Sequence, residues 1–194
     1  PNYFEGTAFL AGYISAMVTP DWRTGMIDAQ NSADNLFGNF ANGLHYYCGF
    51  CSPVYPPYYS YPTYTAISYA VFCLKKKTTV AALVSENVKT AFIHPEIYTP
   101  ELITTLQDNG IDWISSQLME LPENVRPIAI LGIDPVLTSQ LIWQLVAGND
   151  DSSELVLFPS IILHDPGRVS AGKLQQFNEL IDQMARGLID PAYQ

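Results

Sequence analysis

The sequence predicts an α/β protein: a mostly parallel sheet with helices on both faces, a three-layer α/β/α sandwich. Three observations predict it. Short apolar runs alternate with segments of helical periodicity along the chain. One run, Pro127-Ile-Ala-Ile-Leu131, is continuously apolar, as a strand buried on both faces requires. Two helical segments open with a capping residue and then proline, at Thr99-Pro100 and Asp134-Pro135.

The elements follow in order. From Gly6 to Val18, apolar residues recur in pairs at Phe9/Leu10, Tyr13/Ile14 and Met17/Val18. That spacing predicts a helix with one buried face, stopped by Pro20 and Asp21. Trp22 to Ile27 reads as a short strand and Asp28 to Asn31 as a polar turn. The next helix carries Phe37, Phe40, Leu44 and Tyr47 on one side. Thr63 to Ala70 reads as a strand, Thr78 to Glu86 as a short helix, and Val88 to Ile93 as a strand. At Thr99 a helix starts: threonine caps, Pro100 loses no needed N–H, and Glu101 faces the positive end of the dipole. It stops at Gly110. Ile111 to Ser115 and Pro127 to Leu131 are strands. A helix through Leu137, Leu141, Ile142 and Leu145 follows Asp134-Pro135. Leu155 to Leu163 reads as a long strand. The last helix turns Leu174, Phe177, Ile181 and Met184 inward and stops at Gly187. About six strands are expected, and the alternation is continuous enough to read residues 1–194 as a single domain.

Tyr46 to Tyr64 breaks the alternation. Tyr55, Tyr58, Tyr59 and Tyr61 stand among Pro53, Pro56, Pro57 and Pro62, which exclude a regular helix or central strand. It reads as a long loop, either an aromatic lip or a cover for a core edge.

Composition narrows the function. The chain has 194 residues, 48% of them hydrophobic and only 14% charged, which is a folding composition. A net charge of −10 argues against nucleic acid or an anionic membrane surface as partner. No apolar run approaches the ~20 residues of a membrane span. Phosphate-loop, nucleophile-elbow, zinc-protease and calcium-loop motifs are absent, so no cofactor is expected.

Candidate chemistry gathers after the strands. Asp28, Gln30, Asn31, Asp34 and Asn35 lie between a strand end and a helix start. In open α/β sheets ligands bind beyond the carboxyl ends of strands. Asn31 or Ser32 caps the helix; Asp28 and Gln30 are candidates to hydrogen-bond sugar hydroxyls or a base edge. His94 and Glu96 follow the strand ending at Ile93, without the third ligand a metal site needs. Ser115, Ser116 and Gln117 follow the next strand, and Asp134 follows the one after, where it also caps a helix. The candidate ligand-binding set is Asp28, Gln30, Asn31, His94, Glu96, Gln117 and Asp134. His45 and His164 read as ordinary surface or packing residues.

Cys48-Gly-Phe-Cys51 has the spacing of a thiol–disulfide redox site. Such a site needs a helix N-terminus beneath its first thiol. Here the pair follows a helix, whose C-terminus raises a thiol's pKa. A structural disulfide or reduced thiols are the expected states, not catalysis. With Cys73, three cysteines fix no compartment.

Phe9-Leu-Ala-Gly-Tyr13, the strand after it, and Phe37-Gly-Asn-Phe-Ala-Asn-Gly43 resemble the start of the second lobe in basic-membrane-protein (BMP)-type solute-binding proteins. These are extracytoplasmic receptors of ABC importers, related to purine-nucleoside-binding lipoproteins. Val169 to Pro191 matches the family in outline, and the middle of the chain by element order. One departure stands out. The family's strand ends in paired glycines, whereas this one ends Met26-Ile-Asp-Ala-Gln30. Paired glycines admit a ligand close to the backbone, so the departure bears on the ligand and not on the fold.

The resemblance implies one lobe of a type I periplasmic-binding-protein-like fold. It implies an extracytoplasmic protein, not an enzyme, that binds a small polar solute such as a nucleoside between two lobes. It also implies an ABC permease as partner and membrane attachment only through a lipid anchor outside this chain. On this reading a first lobe precedes Pro1. The alternatives are a ligand-binding sensor domain of a signalling protein, and a redox enzyme using Cys48 and Cys51.

Overall fold

The computed structural model describes residues 3–28, 36–49, 80–116, 125–133, 135–147 and 159–191. Five strands among them form one sheet: β1 (Thr24–Ile27), β2 (Thr90–Ile93), β3 (Asp112–Ser115), β4 (Ala129–Ile133) and β5 (Pro159–Leu163). They lie in sequence order, with β1 to β4 parallel and β5 antiparallel at the edge. The helices are α1 (Tyr3–Val18), α2 (Leu36–Cys48), α3 (residues 80–85), α4 (Pro100–Asp108), α5 (Pro135–Val146) and α6 (Ala171–Ala185).

Strand alternation sorts the core into two layers. Phe92 and Ile114 point to one face, where they meet Phe9, Leu10, Ile14 and Met17 of α1, Phe40 of α2, and Phe177 and Leu180 of α6. Ala91, Ile93 and Trp113 point to the other, against Val80 and Leu83 of α3 and Leu102, Ile103 and Leu106 of α4. Helices therefore cover both faces, and the three-layer α/β/α expectation holds.

Two local expectations are corrected. First, α1 does not bury a single face: every residue from Thr7 to Met17 is buried. The sheet lies on one side, α6 on another, and α2 crosses at backbone contact. That crossing is possible because Gly12 and Gly43 lack side chains. A methyl at Gly12 would overlap the Phe40 carbonyl oxygen, and one at Gly43 would overlap the Phe9 carbonyl oxygen. The run Pro127 to Leu131 is buried, as expected, and β4 continues past it to Ile133, which is 37% exposed. Second, the final strand is described from Pro159 and runs antiparallel, so the sheet's last edge is not a crossover unit. The expected strand Thr63 to Ala70 and the loop Tyr46 to Tyr64 beyond Gly49 lie outside the described residues.

Polar contacts tie the elements. Lys173 Nζ donates to the Met17 carbonyl (2.9 Å), satisfying an orphan acceptor at the C-terminus of α1. Thr19 donates to Thr90 (2.7 Å) in a buried pair that joins the end of α1 to the start of β2. Arg168 pairs with Asp112 and, at 3.3 Å, with Asp165. These groups are well exposed, so their contribution is small. The expected cap of α4 is present: the Leu102 N–H donates to Thr99 Oγ1 at 3.3 Å, with Thr99 extended (φ −146°). Thr99→Ala should therefore lower stability by about 1 kcal/mol, read as a reduced urea midpoint with an unchanged slope.

Candidate functional site at the carboxyl rim

Register brings two of the candidates together. Ile27 pairs with Ile93, and the His94 N–H donates to the Ile27 carbonyl at 2.9 Å. Asp28 and His94 thus stand side by side, one residue past the ends of β1 and β2. Ser115 pairs with Ile93, which puts Ser116 level with His94 on the other side. Parallel neighbours lie about 4.8 Å apart, so the three residues make a polar row roughly 10 Å long.

Each member has a distinct environment. Asp28 is half-buried. His94 is buried, at 6% exposure, and its Nδ1 accepts the Glu96 N–H at 3.3 Å, capping the short 3-10 turn Pro95–Ile97. Glu96 meets His94 through its backbone N–H, and the residue itself is exposed. The Ser116 hydroxyl is buried without a hydrogen-bond partner. Position in sequence did not separate Ser115, Ser116 and Gln117. The structure does, placing Ser115 inside β3 and Ser116 just past it. Gln30, Asn31, Gln117 and Asp134 lie outside the described residues.

The location of the row matters as much as its chemistry. Between β1 and β2 the chain carries α2 on one face of the sheet and α3 on the other. α4, which joins β2 to β3, shares the face of α3. β1, β2 and β3 stand in sequence order, so among the described strands the order does not reverse at this pair. Asp28 and His94 lie at the carboxyl ends of β1 and β2, the edge of an open α/β sheet beyond which ligands bind.

Other candidate chemistry lies elsewhere. Cys48 ends α2 and is disulfide-bonded; Cys51 and Cys73 lie outside the described residues. Gly49 follows with φ +78°, and its N–H returns to the His45 carbonyl (2.7 Å), the geometry of a helix C-terminus. The Tyr13 hydroxyl is pushed above its ordinary pKa by burial, then by Tyr47, Tyr46 and Glu179 around it. It belongs to an aromatic cluster in which Tyr47 meets Tyr13 edge-on at 5.1 Å. Among the described residues no three His, Cys, Asp or Glu side chains gather to hold a metal, and no helix is long and apolar enough to cross a membrane.

The fold and its rim define a class: a three-layer α/β/α protein with polar side chains at the carboxyl ends of its parallel strands. Comparison with protein-family models, with curated proteins and with solved structures found no match.

Proposed function

We propose that this chain is one lobe of an extracytoplasmic solute-binding protein of an ABC importer, taking a small polar solute such as a nucleoside at its carboxyl rim. The carrying observation is that Asp28 and His94 stand side by side at the carboxyl ends of β1 and β2. The resemblance to BMP-type proteins adds to it. Gly12 and Gly43, in the two stretches that carry the resemblance, are the residues on which α1 and α2 cross.

The chemistry follows from the row. Asp28 accepts hydrogen bonds from ligand hydroxyl or amino groups. His94, held by its cap, and Ser116 stand beside it on the same edge of the sheet. No catalytic step is assigned to these groups; they bind. A second lobe would close over the ligand by hinge motion, supplying the burial that offsets the entropy of association.

The test is calorimetric titration with nucleosides and simple sugars. It compares this chain with one extended toward the natural N-terminus. The chain alone should bind weakly or not at all, and the extended protein tightly. In the extended protein Asp28→Asn should weaken binding by about 10- to 100-fold, the effect of losing a charged hydrogen-bond partner. Equal, tight binding by both forms would show the site complete in this chain. No binding by either form, or binding indifferent to Asp28, would overturn the proposal.

A further inference from the structure

We propose that the amino end of the sheet binds one internal water molecule, held between the hydroxyls of Thr24 and Thr90 and closed from α1 by Ser15. Thr24 and Thr90 open β1 and β2 and are register partners in a parallel pair. Register partners turn their side chains to the same face. It is the face that α1 covers, since Met26 and Phe92, two residues further along each strand, belong to the layer of Phe9 and Leu10.

All three hydroxyls are enclosed. Thr24 and Ser15 are 0% exposed and Thr90 2%. Neither the Thr24 nor the Ser15 hydroxyl has a hydrogen-bond partner among the described residues. Thr90 accepts from Thr19 at 2.7 Å and keeps its own O–H proton to donate. Ser15 lies one helical turn before Thr19, whose N–H donates to the Ser15 carbonyl at 3.1 Å, and so shares the side of α1 that meets Thr90. Buried hydroxyls left in this condition are costly, and ordered water is the usual remedy.

Spacing identifies the ligand. Neighbouring parallel strands lie about 4.8 Å apart. That is too far for a direct bond between hydroxyls, whose oxygens approach to about 2.8 Å. It suits two such bonds through one shared oxygen. The water accepts a proton from Thr24 and one from Thr90, and donates one to Ser15. A divalent cation is the poorer occupant, because such ions take carboxylates. The carboxylate in register, Asp112 beside Thr90, is engaged by Arg168. The water ties the end of α1 to two strands at once, at the edge of the sheet opposite Asp28 and His94.

A high-resolution crystal structure of the chain should show an ordered water within about 3.2 Å of both threonine hydroxyls. Thr24→Val keeps the shape of the side chain and removes its hydroxyl. The expected result is loss of that water and an unfolding equilibrium constant raised about 5- to 10-fold, read by urea titration. A hydroxyl with no partner would respond the other way, and its valine variant would be more stable. Thr24→Ser retains the hydroxyl and should keep the water, which decides the point if the valine variant does not fold. Absence of the water, or a valine variant at least as stable as the unsubstituted chain, would overturn the proposal. The readout does not involve solute, so it stands or falls apart from the binding function.

Discussion

Gly43→Ala is expected to destabilise the protein by about 3 kcal/mol or more, and Gly12→Ala by a comparable amount. The sign is not obvious from helix propensity. Alanine in place of glycine inside a helix gains about 1 kcal/mol when nothing else changes. Here the added methyl meets backbone. At Gly43 it would overlap the Phe9 carbonyl oxygen and lie 3.0 Å from the Tyr13 nitrogen. At Gly12 it would overlap the Phe40 carbonyl oxygen and lie 3.0 Å from the Leu44 nitrogen. No rotamer change relieves a clash with a helix backbone, so α1 and α2 must separate. Because α1 is buried on all sides, the separation disturbs its contacts with the sheet and with α6 as well.

Gly172→Ala is the control. Nothing lies within 4 Å of its added methyl, in helix α6. That variant should be neutral or more stable by up to about 1 kcal/mol. Urea titrations of the three single variants decide the point. The double variant Gly12→Ala/Gly43→Ala should fall short of additivity, since the first substitution has already parted the helices. An alanine at Gly43 that melts like the unsubstituted chain would mean the helices do not cross at backbone contact.

Phe40→Ala is the second large effect, with an expected loss of about 3–5 kcal/mol. Phe40 is fully buried and stacks on Phe92 of β2, with centroids 6.3 Å apart and an interplanar angle of 14°. It is the side chain of α2 that reaches the sheet. Its removal leaves a cavity between α2, α1 and β2, which neighbours held by the Gly12–Gly43 crossing cannot collapse to fill. The half-buried Phe37, one turn earlier, contacts the Phe40 ring at 6.4 Å and should matter less. A chain of this size shifts its midpoint by about 2–4 °C per kcal/mol, so calorimetry should separate Phe40→Ala from Phe37→Ala clearly. Equal, small shifts for the two would contradict the packing described here.

The class of fold was legible because it rests on local rules. Alternating periodicities, the Thr99-Pro100 start and the Gly110 and Gly187 stops each act within a few residues. The structure returns α4 with its threonine cap, and both glycines with positive φ. That Asp28 and His94 fall just past strand ends was legible for the same reason, since a strand end is a local event.

What lay beyond the sequence was set by contacts between distant segments. The pairs at Phe9/Leu10 and Tyr13/Ile14 specify a helix, but not that its other sides are covered too. That depends on Gly43 arriving thirty-odd residues later against Phe9. The neighbouring of Asp28 and His94 depends on β1 pairing with β2 in a register no local pattern encodes. Periodicity and capping are short-range, and the sequence by itself determined the helices, the strands and the layered class. Which faces meet is a balance of burial and backbone approach over the whole chain. Only the tertiary structure decided that α1 is enclosed, that Asp28 and His94 stand side by side at the carboxyl edge, and that Trp143 of α5 is exposed.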